Sequence, residues 1–263
     1  MVVGHNRDVG FMKGIILAAG RGSRMGVLTD ERPKCLTVLA GRTLLEWQIK
    51  AMRKAGIQEV LIVGGYRKSY LKGYGCEVIA NPRWDQTNMV ASLMCATKVL
   101  ERDACIVSYS DIVYHPDAVT RLAGLNAEIA ISYDSRWREL WETRFDDPLG
   151  DAETFREQDG CLTDIGRKTA DILDIRGQYM GLLKFSPLGW EKSLRLIGTH
   201  DGFAIDSLDM TTLLQQLIGG DIVIHVAEVE GRWCEVDTEQ DLKLYAARVG
   251  SEEGEIWSHD WRW

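Results

Sequence analysis

The chain has 263 residues, 45% of them hydrophobic, and a formal net charge of −8. That length and apolar content admit one α/β domain with a sizeable core. The acidic balance argues against nucleic acid as a partner, because general DNA or RNA binding takes basic surface. No apolar run approaches the ~18 residues of a membrane span, so no membrane partner is expected either.

The first half alternates strand and helix signals. Residues 1–11 read as an N-terminal extension. Lys13–Ala19 is an apolar run that stops at Gly20. Leu44–Lys54 has a helical rhythm and stops at Gly56. Glu59–Val63 is a strand ending in Gly64-Gly65, and Val78–Ala80 a shorter one. Thr87–Leu100 reads as one helix capped by Thr87 or Asn88. Ala104–Tyr109 is a strand, Asp117–Leu125 a helix and Ala127–Tyr133 a strand. The second half is less regular, and Arg136–Asp151 is rich in Trp, Arg and acidic residues. Phe155–Ile165 reads as a hairpin around Asp159-Gly160. Gln178–Phe185 is a strand, followed by helices over Pro187–Leu196 and Met210–Ile218. Asp221–Val229 and Trp233–Val236 are strands. A helix capped by Thr238 then runs to about Val249, and 251–263 is a tail with three tryptophans. This order predicts one domain over 12–250, built on a mixed, mainly parallel sheet flanked by helices, with a substrate-side insertion in its second half. The oligomeric state stays open, a homodimer included.

Six cysteines are present, none in a Cys-x-x-Cys pair. They read as buried reduced thiols of a cytoplasmic protein.

The chemical residues fall at strand ends. Leu17-Ala18-Ala19-Gly20-Arg21-Gly22-Ser23-Arg24-Met25 is a glycine loop after a strand, whose N–H groups suit phosphate oxygens. Arg24 and, ten residues on, Pro33-Lys34 add cations. Alone, Gly-x-Gly is a weak signal, and here neither the Walker pattern nor the full dinucleotide fingerprint is present. Asp111 closes an apolar run, where a carboxylate can hold Mg²⁺ or simply cap a turn. Asp237 precedes Thr238 and a helix, so capping is its bland role.

Taken together, Gly20-x-Gly22-Ser23-Arg24-Met25, Pro33-Lys34, Asp111 and Glu235-Val236-Asp237-Thr238 resemble the sugar-nucleotide pyrophosphorylase superfamily of nucleotidyltransferases. The resemblance implies a Rossmann-like fold and Mg²⁺ held by Asp111 and Asp237. It implies Lys34, Arg24 and Asp111 as the catalytic set, and the glycine loop around a triphosphate. Asn81-Pro82-Arg83-Trp84 and Asn88-x-x-x-Ser92-Leu93 are similar to the small bacterial cytidylyltransferases of phosphocholine, phosphonate and phosphoglutamine type. That likeness favours CTP, with Gly64, Gly65, Tyr66, Asn88 and Ser92 toward the nucleotide. It also suggests a role in capsule or cell-surface polysaccharide biosynthesis.

The acceptor is implied to be a small phosphorylated compound. Acidic and aromatic residues would suit an amine on it. Candidates are Glu153, Asp209, Glu235, Tyr179 and Trp137, with Trp141 and Trp233 behind them. Arg136, Arg138, Arg144 or Lys184 could meet its phosphate. A sugar-1-phosphate enzyme using UTP, dTTP or GTP and a catalytically inactive nucleotide-binding regulator remain as alternatives.

Overall fold

The computed structural model describes residues 12–250 and 257–263; the expected extension over 1–11 lies outside them. In chain order the elements are β1 (Lys13–Ala18), β2 (Val38–Leu39), β3 (Arg42–Thr43), α1 (Leu44–Lys54), β4 (Val60–Gly64), β5 (Glu77–Ala80), α2 (Met89–Met94) and α3 (Thr97–Leu100). Then come β6 (Cys105–Tyr109), β7 (Ile112–Tyr114), α4 (Pro116–Gly124), β8 (Ile129–Asp134), α5 (Trp137–Arg144), β9 (Phe155–Gln158), β10 (Cys161–Ile165) and β11 (Gln178–Phe185). The chain continues with α6 (Pro187–Ile197), α7 (Gly202–Ser207), α8 (Met210–Gly219), β12 (His225–Val229), β13 (Trp233–Glu235) and α9 (Glu239–Gly250).

A nine-stranded sheet organises the molecule, in the order β5-β4-β1-β6-β11-β8-β12-β10-β9. The run β5-β4-β1-β6 is parallel throughout. Beyond it the directions mix: β11 opposes both β6 and β8, β12 runs parallel to β8, and β10 opposes β12 and β9. Side chains alternate across a strand, and here both faces are buried. Ile15, Leu17, Leu61, Val63 and Val107 pack on one face, under α2, α6 and α8. Ile16, Ile62 and Ile106 pack on the other with α1 and α4. Each fully buried Leu or Ile contributes about 1.5–3 kcal/mol. Burial on both faces explains why these strands read as continuous apolar runs.

Two local readings change. Thr87–Leu100 is two short helices, broken where Ala96 leaves helical geometry (φ −95°, ψ 10°). The Trp- and Arg-rich stretch contains α5, whose Trp137, Leu140 and Trp141 face the core. The described part of the tail is not loose: Trp261 is buried between Trp47 and Tyr245.

Parallel strands β4, β1 and β6 end on one edge of the sheet. Gly65, the glycine loop and Ser110-Asp111 follow them directly. This is the edge at which open α/β sheets bind ligands.

Candidate active site

The glycine loop is shaped by its contact with Lys34. Gly22 has φ +75°, and a Cβ there would sit 2.6 Å from the Lys34 Cβ. Only glycine tolerates both demands. Thr29 Oγ1 donates to the carbonyls of Gly22 and Gly26 at 3.1 and 3.2 Å, closing the loop. Pro33 then leads into the short turn Lys34–Leu36, which carries Lys34 inward until it is only 7% exposed.

Lys34 joins the two distant carboxylates. Its Nζ donates to Asp111 Oδ2 at 3.0 Å and to Asp237 Oδ1 at 2.7 Å. Arg24 adds bonds to both Asp237 oxygens, at 3.1 and 2.9 Å. Burial works against the Lys34 charge, but Asp111 and Asp237 outweigh it and raise its pKa. Burial likewise opposes the Asp237 charge, yet Lys34, Arg24 and Arg144 hold its pKa below the ordinary aspartate value.

Asp237 is not the helix cap. Asp241 Oδ2 accepts from the backbone N–H of Asp237 and of Thr238 at 2.9 and 2.8 Å, and Thr238 Oγ1 accepts from Asp241 N at 3.2 Å. This Thr238–Asp241 exchange caps α9 and leaves the Asp237 carboxylate to the site.

Two cavities of about 210 Å³ each meet here, and Arg24 and Tyr109 line both. The first is walled by Leu17, Ala19, Gly20, Gly22, Lys34 and Asp111 on one side, and by Trp84, Thr87, Asn88 and Ser92 on the other. The second is acidic: Asp151, Glu153, Glu235 and Asp237 line it with Gln178, Tyr179 and Trp233. Burial, then the neighbouring Asp237, pushes the Glu235 carboxyl up to about 7, against the pull of Arg144. Burial also raises the Glu153 pKa. A wider depression, about 1010 Å³, opens near Lys192, Arg195 and His225 and includes none of these groups.

The remaining expected residues fall in three groups. Asn88 caps α2 through Met89 N while lining the first cavity. Ser92 is buried and accepts from Asn81 Nδ2 at 3.0 Å. Glu153, Tyr179 and Glu235 come together along the second cavity, and Tyr179 meets Tyr109 edge-on at 5.8 Å.

A second group backs the loop without lining either cavity. Ala18 is buried in β1 opposite Gly64. Gly65 lets Trp84 and the Ala19 carbonyl close in: a Cβ would lie 2.3 Å from Trp84 Cβ. Tyr66 donates from its N–H to Ala19 O at 2.8 Å and from its hydroxyl to Asp30 O at 2.6 Å. Arg21 turns outward to Asp30 at 2.6 Å, and Ser23 is exposed at the start of the next turn.

The third group corrects the acceptor expectations. Trp137 is 4% exposed in the core, because α5 turns its apolar face inward. Trp141 is buried too, and its Nε1 donates to Asp151 Oδ2 at 3.1 Å, holding a lining carboxylate. Asp209 caps α8 by accepting from Thr212 N at 2.7 Å. Arg136 and Arg138 pair with Glu139 and Glu142 on the surface. Lys184 donates to the carbonyl of Ala123. Arg144 is buried against Glu235, Asp237 and Asp241 at 3.0, 3.6 and 3.1 Å. Tyr109 and Thr211, not singled out from sequence, also line the second cavity. The position of Tyr109, two residues before Asp111 at a strand end, is the signal that could have found it.

Residues 14–167 match the MobA-like NTP transferase domain. The chain is 36% identical over 249 residues to the CTP:phosphoglutamine cytidylyltransferase of Campylobacter jejuni, covering 89% of this chain and 98% of that one. Among solved structures, the inositol-1-phosphate CTP transferase of T. maritima superposes with a TM-score of 0.73 at 19% identity, covering 94% of this chain and 99% of its own. The CTP:phosphocholine cytidylyltransferase of Streptococcus pneumoniae follows at 0.67 and 22%, covering 91% and 99%. With more than half of its length matched by the family and a relative 36% identical along almost the whole chain, this chain belongs to the MobA-like NTP transferase family.

Proposed function

We propose that this protein transfers a CMP unit from CTP to a small phosphorylated, amine-bearing acceptor and releases pyrophosphate. The observation that carries the reading is Lys34, held by Asp111 and Asp237 where a glycine-loop cavity meets an acidic one. The CTP:phosphoglutamine enzyme, matched along almost the whole chain, supports both the donor and the acceptor class.

An acceptor phosphate oxygen attacks the α-phosphorus. A new P–O bond forms as the bond to the β-phosphate bridging oxygen breaks, and pyrophosphate leaves with the electron pair. The acceptor phosphate is already ionised near pH 7, so no general base is needed. Catalysis is positioning and charge neutralisation. Glycine-loop N–H groups and Arg24 hold the triphosphate, and Lys34 shifts hydrogen bonds from the carboxylates to the phosphate as negative charge builds. Glu153 and Glu235 face the acceptor's amine.

The residues present fit a divalent metal. Asp111 Oδ1 is buried with no hydrogen-bond partner among the described residues. Two carboxylates completed by substrate phosphates are a donor set that Mg²⁺ accepts. Asp111 and Asp237 would hold it, and there it would polarise phosphate oxygens. We place the enzyme in the cytoplasm, where its six free thiols stay reduced.

Pyrophosphate release tests the reading, with CTP, UTP, GTP and dTTP each paired with phosphoglutamine, phosphocholine, 2-aminoethylphosphonate and a sugar 1-phosphate. CTP with an amine-bearing acceptor is expected to lead in kcat/KM by about tenfold or more. Equal use of UTP or GTP with a sugar phosphate would overturn it, and so would nucleotide binding without turnover.

A further inference from the structure

The strand β13 carries two residues of the acidic cavity, Trp233 and Glu235, and leads to Asp237. It pairs with the short β7, opposite Ile112–Tyr114, and is not part of the nine-stranded sheet. What fixes it on its other side is the end of the chain.

Asp134, at the end of β8, is fully buried and its carboxylate is fully used. Oδ1 accepts from Arg136 N at 2.9 Å and Gly231 N at 2.8 Å. Oδ2 accepts from the Trp233 indole N–H at 2.8 Å and faces His259 Nε2 at 2.9 Å. In the tautomer with Nε2–H, His259 donates to this oxygen beside the indole. His259 is also fully buried, and its Nδ1 lies 3.0 Å from Ser258 Oγ, which donates to Glu139.

Every residue of β13 is held this way. Trp233 shares Asp134 with His259. Cys234 Sγ donates to the carbonyl of His259 at 3.4 Å. The Glu235 carbonyl accepts from Tyr245 Oη at 2.9 Å, and Trp257 stacks on that tyrosine at 5.6 Å. Just before the strand, Arg232 N donates to Ser258 O at 2.8 Å. Gly231 permits that approach, since a Cβ there would lie 2.4 Å from the same oxygen.

We propose that the C-terminal segment Trp257–Trp263 sets the geometry of the acceptor wall, with His259 as a positioning residue that acts through Asp134 on Trp233. This rests on the reading of the acidic cavity as the acceptor site. The segment reaches Trp233 and Glu235 but none of the glycine-loop contacts described above, so its influence falls on one substrate. Without the His259 N–H, Asp134 Oδ2 keeps only the Trp233 indole of its two partners, and the shared anchor of Trp233 and the tail is lost. A misplacement of about 1 Å in a binding wall can cost up to about a hundredfold in rate.

The test measures KM for CTP, KM for the acceptor and kcat in the full-length chain carrying His259→Ala, His259→Gln or Glu153→Gln. His259→Ala is expected to raise acceptor KM about tenfold, with CTP KM within about twofold. His259→Gln, whose amide N–H can reach Asp134, is expected to restore most of that loss. Unfolding of a fraction of the sample would lower kcat and leave both KM values alone. That pattern, or an equal rise in both KM values, overturns the proposal. If His259→Ala does not fold, failure of the folded His259→Gln variant to keep acceptor KM within about threefold overturns it instead. Glu153→Gln keeps the two ideas separate. Unchanged acceptor KM in that variant refutes the acceptor cavity itself. A raised value there, beside an unchanged His259→Ala, refutes only the role of the tail.

Discussion

The two walls of this active site are assembled in different ways. The nucleotide wall comes mainly from two compact stretches, the loop after β1 with Lys34 and the Asn81–Ser92 segment, both seated on parallel strands. The acceptor wall gathers β11, the stretch before β9, the first turn of α8 and β13, with Arg144 and the tail behind it. One wall is specified by short-range backbone geometry. The other depends on buried polar contacts between residues roughly a hundred positions apart, such as Arg144 with Glu235 and Asp134 with His259.

The largest expected effect lies where the walls meet. Lys34→Met should lower kcat by about 10²–10³-fold, the scale for losing one donor to a developing charge. It also leaves Asp111 and Asp237 facing each other without their shared cation. Pyrophosphate release at saturating CTP and acceptor measures this. Activity within tenfold of wild type would mean that Arg24 alone serves the nucleotide wall.

The next effect belongs to the acceptor wall and is read in stability. The Arg144 guanidinium is buried among Glu235, Asp237 and Asp241, and stripping one partner from a buried ionic cluster costs about 3–5 kcal/mol. Arg144→Met should therefore lower the urea midpoint strongly. Arg138→Ala removes only an exposed helical pair with Glu142, worth about 0–1 kcal/mol. Equal midpoints for the two variants would remove the contrast between a locally specified wall and one held by buried ion pairs.

This contrast also explains what could be read from the sequence. Glycines, Pro33-Lys34 and strand-end acids lie close together in the chain, so their pattern reports the loop directly. Asp111 and Asp237 are far apart, yet each marks its own position, one ending a strand and the other preceding a capped helix. The acceptor wall offers no such local mark. Trp137 and Trp233 look alike as sequence, but a helical face turns the first into the core and a short strand turns the second toward the cavity. The Arg144 cluster and the Asp134–His259 pair involve charged residues in ordinary-looking stretches, and only the tertiary fold brings them together. The sheet followed the same division. Its parallel half was legible from continuous apolar runs separated by helical stretches, whereas the antiparallel placement of β11, β10 and β9 depends on which strands the second half finds beside it.

The smallest effect tests the charge of the acceptor wall. Burial pushes the Glu153 carboxyl above the ordinary range. Lys168 pulls it back, and Asp209 and Asp151 push it further up. On acidification, this wall loses its charge at higher pH than an ordinary glutamate would. Acceptor KM should therefore rise as pH falls through that raised value, while in Glu153→Gln the curve is flatter and lies about three- to tenfold higher at neutral pH. The stability sign runs the other way. A raised folded pKa means that folding favours the protonated form, so the contribution is fully present below the unfolded value of about 4.3 and is lost as pH rises through the folded one. Glu153→Gln mimics the protonated group. It should melt at or slightly above the wild-type temperature at pH 7, and the two should converge near pH 4. A variant that binds acceptor poorly yet is no less stable would show that this carboxylate is kept for the ligand. Parallel acceptor-KM profiles for the two proteins would instead count against this carboxylate as a group that meets the acceptor's amine.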